Sequence, residues 1–137
     1  MDKRVLRLQD YSDAVLAGWK ETDLYRAIIH EVPRLFHGLD HEEQDEALHQ
    51  RPALTGTPWD ALLAATVEHV AELHGHAAPP WTSERERFLD VPWVVSRNSL
   101  IRLQSIAFAP PAFIRHSVLP DPRDLDARGG EPHAWVL

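Results

Sequence analysis

The sequence predicts an all-α single domain, a helical bundle followed by a proline-rich C-terminal layer of short helices and loops. Three observations lead there. Residues 57–75 repeat their apolar side chains at helical spacing over several turns. Two shorter stripes of the same period precede them, near residues 8–20 and 22–32. Proline is distributed unevenly, with three of the 11 before residue 79 and eight from Pro79 onward. Regular helix therefore belongs to the first half, and rigid turns punctuate the second.

The first stripe, Leu8, Tyr11, Val15 and Trp19, predicts a helix over 8–20. Thr22 is placed to cap a second one carrying Tyr25, Ile28, Ile29 and Val32, which Pro33 should end or kink. Leu35, Phe36 and Leu39 extend the apolar supply, and the polar run Asp40–His49 reads as a short exposed helix closed by Pro52. The strongest helix signal begins with Thr57 as N-cap, Pro58 at the first position and Asp60 in the first turn. Trp59, Leu62, Leu63, Thr66, Val67, Val70, Leu73 and His74 then share one face, and Gly75 supplies the stop. Asp60, Glu68, His69 and Glu72 fall opposite and read as a solvated face.

Beyond Pro79-Pro80, Ser83 and Glu86 form a capping-box pattern opening a short helix toward Phe88 and Leu89. Pro92-Trp93-Val94-Val95 reads as an extended connector. Ser96 or Asn98 can cap a helix carrying Leu100, Leu103, Ile106 and Ala107, stopped at Pro110-Pro111, with one more turn at Ala112-Phe113-Ile114. From Val118 onward the prolines and Gly129-Gly130 argue against a strand and for a wandering tail. Residues 1–137 thus form one domain with an acidic helical part (1–78), a part braced by proline and tryptophan (79–130) and a tail (131–137).

The composition narrows the chemistry. An apolar share of 44% with 26% charged residues belongs to a globular chain, and 137 residues suffice to bury roughly two-thirds of the unfolded surface. There is no cysteine, which excludes disulfides, thiolate zinc sites, iron–sulfur clusters and a cysteine nucleophile. The basic start, Met1 to Asp10, lacks the apolar core of a signal peptide, and no stretch has the ~18 apolar residues of a membrane helix. The expected setting is cytoplasmic and soluble. The net charge of -7 lies in residues 1–78, which hold 7 basic and 14 acidic side chains, whereas residues 79–137 hold 7 of each. Such a surface repels nucleic acid unless it presents a local basic face.

Catalytic signatures are thin. Among nine histidines, His37, His41 and His49 fall with Asp45 at four-residue steps, the spacing of metal ligands on one helical face. The run reads first as a hydrophilic surface helix without apolar support for a buried site, and no cofactor is expected. Glu68-His69 with His74 and His76 is not the zinc-protease spacing, and histidines near a helix C-terminus are explained by the helix dipole. Ser96, Ser99, Ser105 and Ser117 sit in no glycine-flanked elbow, and Gly129-Gly130 follows no strand as a phosphate loop would.

The tryptophans and arginines point to binding instead. Trp19 and Trp59 lie in apolar stripes and are expected in the core. Trp81 and Trp93, each after a proline, suit loops pinned to the core by an indole whose N–H finds a carbonyl, or an exposed platform for a partner. Trp135 is either an anchor for the tail or part of a loose end. Between Asp90 and Asp121 there is no acid, while Arg97, Arg102, Arg115 and His116 fall there with Trp93, Phe108 and Phe113. Aromatic residues and arginine are the types enriched at interface hot spots. The partner-binding candidates are therefore Trp93, Arg97, Arg102, Phe113, Arg115 and His116.

The order Pro79-Pro80-Trp81, Arg87-Phe88-Leu89-Asp90, Pro92-Trp93, a leucine-rich helix, Pro111-Ala112-Phe113 and Asp124-Leu125 resembles the C-terminal region of a group of small actinobacterial proteins. Trp59-Asp60-Ala61-Leu62-Leu63-Ala64-Ala65 with Glu68-His69 fits the same group, so the resemblance covers about residues 57–130. Some of its members look like antitoxin or regulatory partners of nucleotidyltransferase-like toxins. The group's run of arginines after the Pro-Ala-Phe element is reduced here to Arg115, followed by His116. The resemblance implies a non-catalytic interaction protein that neutralises or regulates a protein partner encoded nearby. A DNA-binding regulator using the first two helices as a helix-turn-helix is one alternative. A small metal enzyme built on His37, His41, Asp45 and His49 is another.

Overall fold

The computed structural model describes residues 6–95 and 109–121. Six α-helices are present among them: α1 (Gln9–Leu16), α2 (Glu21–Arg26), α3 (Val32–His37), α4 (His41–Leu48), α5 (Trp59–Leu73) and α6 (Pro111–His116). A π turn, Ala27–Glu31, joins α2 to α3, and two 3-10 turns, Pro80–Ser83 and Arg85–Arg87, follow α5. The architecture is mostly helical, as the periodicity predicts. The expected helix of Leu100, Leu103 and Ile106, the candidates Arg97 and Arg102, and the tail with Gly129, Gly130 and Trp135 lie outside the described residues.

Helix α5 forms the centre, with α1, α3, α6 and the 3-10 turns packed around it. Its residues from Asp60 through Glu68, with Val70 and Ala71, are all buried. A helix with such small and apolar residues on every side belongs in the middle of a bundle. The reading of Asp60 and Glu68 as solvated is therefore wrong, since they are 3% and 4% exposed. Leu73, assigned to the core face, is instead 42% exposed.

The helix ends follow local chemistry, with some changes. Gly18 and Gly75 hold positive φ (81° and 77°), where a side chain would be strained. At each, the next residue's N–H reaches back five residues, Trp19 to Ala14 and His76 to Ala71, closing a Schellman turn. Helix α4 opens on a complete capping box of Asp40 and Glu43. Thr22 does not cap α2, which begins one residue earlier after Lys20. Thr57 does not cap α5 either; its hydroxyl meets that of Thr55 at 2.7 Å. The loop is ordered instead by the Asp60 carboxylate, which accepts the Thr55 N–H (3.0 Å), the Gly56 N–H (2.9 Å) and the Thr55 hydroxyl (2.7 Å).

Pro33 does not end the helix. Proline cannot donate to the carbonyl four residues back and its ring crowds that group. The π turn immediately upstream widens the helix there, and the chain stays helical to His37. The Ser83–Glu86 capping box does not form; Ser83 ends the first 3-10 turn with no side-chain cap. Trp93–Val94 (β1) is extended as expected, but Val118–Leu119 (β2) pairs with it in parallel, Trp93 opposite Val118. Ser117, in the left-handed conformation at φ 61°, turns the chain out of α6 directly into β2. Strand pairing here needs only two residues, which no alternating pattern announces.

Candidate functional site

Two buried polar centres hold the second part of the chain on α5. The first is Arg87, wholly buried at the end of its 3-10 turn. Its Nε donates to Glu84 (3.0 Å), one terminal nitrogen to the Pro52 carbonyl and the other to the Asp60 carbonyl at 3.5 Å. Its guanidinium also lies 4.7 Å from the centre of the Trp81 ring. The Trp81 N–H in turn donates to the Leu48 carbonyl at 2.8 Å, the loop-pinning role expected of it. Burial pulls the Arg87 pKa down, opposed by Glu84 and Asp60. Glu84 is also gripped by Arg51 (2.8 Å); burial pushes its pKa up, but the two arginines win and it falls below the ordinary 4.5.

The second centre joins α5 to α6. His116 is wholly buried, stacked on Phe88 at 4.3 Å, and its Nδ1 lies 2.6 Å from the Arg87 carbonyl. A carbonyl only accepts, so Nδ1 carries the proton. Nε2 lies 3.0 Å from Glu68 Oε2, close enough for an ion pair but off the line of a hydrogen bond. The other Glu68 oxygen accepts from Arg115 at 3.0 Å, and Arg115 also reaches Glu72 at 3.3 Å. Burial raises the Glu68 pKa, but His116, Thr82 and Arg115 outweigh it and hold the carboxyl below 4.5.

These contacts decide the fate of the partner-binding candidates. Phe113 and His116 are fully buried and so cannot meet a partner on the surface. Arg115 is half-exposed, but two glutamates hold it across α5. Trp93 is partly buried, set edge-on against Trp59 at 5.1 Å. Among the described residues, this acid-free stretch therefore lies against α5, where Glu68 and Glu72 from the first half meet Arg115 and Glu68 faces His116. Sequence distance hid those partners.

The histidines gather, though not as expected. His41 stacks on His76 (4.2 Å, 17°) and His37 lies 5.5 Å from His74, with Phe36 beside both His74 and His76. His49 instead reaches the Asp45 carbonyl at 2.8 Å and takes no part. Thus His37, His41, Asp45 and His49 do not converge, and no three histidine or acid side chains among the described residues are arranged to hold a metal. Gln44 explains the His76 tautomer: its amide nitrogen donates to Phe36 and Leu39, leaving its oxygen to accept from His76 Nε2 at 2.9 Å. Burial first, then His41, lower the His76 pKa from 6.5, against a smaller pull from Asp45.

A depressed histidine pKa means the unfolded chain binds more protons in that window. The contribution of His76 is complete above about pH 6.5 and is lost as the pH falls toward its folded value. Denaturant titrations at pH 7.5 and 5 should show a larger loss for the native chain than for His76→Gln. Equal losses in the two would refute this.

Trp19 is not in the core. Lying three residues past the end of α1, it is 53% exposed. It lines a groove of about 420 Å³ with Asp23, Arg26, Ala27, His30, Glu31 and Arg34, along the run from α2 to α3. Nothing in a single apolar stripe distinguishes this tryptophan from a core one, because the helix stops before reaching it.

Compared with known protein families, curated proteins and solved structures, the chain matches none of them. No helix among the described residues is long and apolar enough to cross a membrane.

Proposed function

We propose that this chain is a non-catalytic protein-interaction module, an antitoxin-like neutraliser or regulator of a protein partner, working in the cytoplasm. The observation that supports it is how the acids are used. Asp60 and Glu68 are spent inside, whereas Asp10, Asp13, Glu21, Asp23, Glu42, Asp45 and Glu46 on α1, α2 and α4 are exposed. Many exposed acids on one half suit a basic partner, whose approach they steer and whose nucleic-acid-binding face they mask. The resemblance to antitoxin-like proteins over residues 57–130 points the same way. The DNA-binding alternative is disfavoured, because Asp23 and Glu31 interleave with Arg26 and Arg34 on the helix that would enter the groove. The chain should co-elute with the protein encoded beside it when the two are co-expressed. The complex should weaken as salt rises past 0.1 M, where charges about 10 Å apart are screened. Absence of any complex with a neighbouring product at low salt would overturn the reading.

A further inference from the structure

The groove beside Trp19 carries charges in an order that complements itself. Along the helical run the charged lining alternates: Asp23, Arg26, Glu31, Arg34. If an identical run lies antiparallel across it, a twofold axis between Ala27 and His30 sets Asp23 opposite Arg34 and Arg26 opposite Glu31. Each acid then meets a base, and every pairing occurs twice. The same axis sets Ala27, the smallest side chain of the lining, against His30, which allows close approach at the centre. It also carries Trp19 toward Gly38, which is exposed and offers no side chain to obstruct an indole. An isologous interface requires just this self-matching.

The cations and one of the acids are available for it. Asp23, Arg26 and Arg34 engage no other side chain of the described residues. Glu31 accepts the Tyr11 hydroxyl at 2.7 Å, which fixes its carboxylate at the groove's edge. We infer that this groove is the contact surface for a second copy of the chain, docked antiparallel about an axis through the π turn. The helical run from Glu21 to His37 is about 25 Å long and one helix, about 10 Å, wide. It covers a few hundred Å² on each copy, below the roughly 800 Å² of a standard stable interface. The dimer is accordingly weak and rises with concentration, with Trp19 as its apolar anchor. This goes beyond the partner reading, which shares only Asp23 with this groove and needs a second protein.

Sedimentation of the purified full chain at low salt, from about 10 μM to about 500 μM, tests it by mass action. The mass should rise from that of the 15.6 kDa monomer toward a dimer, and fall back on adding salt. Arg34→Asp sets an acid against Asp23 of the second copy and should leave a monomer with unchanged helix content. The double variant Asp23→Arg with Arg34→Asp again sets opposite charges face to face at these positions and should restore the dimer. Trp19→Ala should weaken association severalfold. A native chain monomeric throughout, a dimer indifferent to Arg34→Asp, or a double variant that stays monomeric would each overturn the proposal. Because no other protein is present, this outcome is independent of co-elution with a neighbour.

Discussion

Replacing Arg87 by alanine is expected to lower the unfolding free energy by about 4 kcal/mol, the range for removing one member of a buried charge network. The side chain is wholly buried and serves Glu84, the Pro52 and Asp60 carbonyls and the Trp81 face together. Its loss leaves those acceptors without a donor and opens a void beside Trp81, and the two costs add. Lysine keeps the charge but offers one point donor in place of a planar fork, so Arg87→Lys should recover only part of the loss. Urea titration measures both. A cost under about 1 kcal/mol for Arg87→Ala would mean that the carbonyls find other donors, and would remove Arg87 as the anchor of the loop.

Glu68→Gln should be the second costly change, at about 2–3 kcal/mol, because it preserves shape while removing the charge that faces buried His116. Arg115→Ala serves as the contrast. Its side chain is 47% exposed, and exposed ion pairs contribute about 0.2–1 kcal/mol. The seam between α5 and α6 thus depends on the buried carboxylate rather than on the arginine above it. Acid exposes the same dependence. Glu68 has its pKa lowered in the folded chain, so its contribution is full above about 4.5 and is lost as the pH falls through the folded value. Glu68→Gln should therefore flatten the stability profile below pH 4.5. An unchanged profile would show that Glu68 is not the group titrating there.

Local rules made much of the helical part legible. The α5 stripe, the glycine stop at Gly75, the short polar helix of the 40–49 run and the extended Trp93–Val94 segment each depend on residues within a few positions of one another. The pinning of Trp81 was legible as one of two readings, although the carbonyl that takes its N–H, that of Leu48, lies 33 positions away. The errors came where the deciding neighbour is distant. Trp19 shares the spacing of Tyr11 and Val15, but α1 ends at Leu16 and leaves it outside. Asp60 and Glu68 look solvated on a helical wheel until the Thr55–Gly56 loop and α6 close over them. The groove alternation along α2 and α3 could be found in the sequence only by one who knew that the helix continues through Pro33.

By itself the sequence determined that the chain is helical, lacks thiol chemistry and divides into an acidic half and a proline-braced one. Those properties follow from side-chain type, backbone restriction and short-range spacing, which act before the chain is compact. The tertiary structure alone decided which charges are surface and which are mortar. Arg87, Glu68 and His116 read as ordinary polar residues in the chain, but burial raises the cost of any unpaired charge and so forces partners 27 to 48 positions apart to meet.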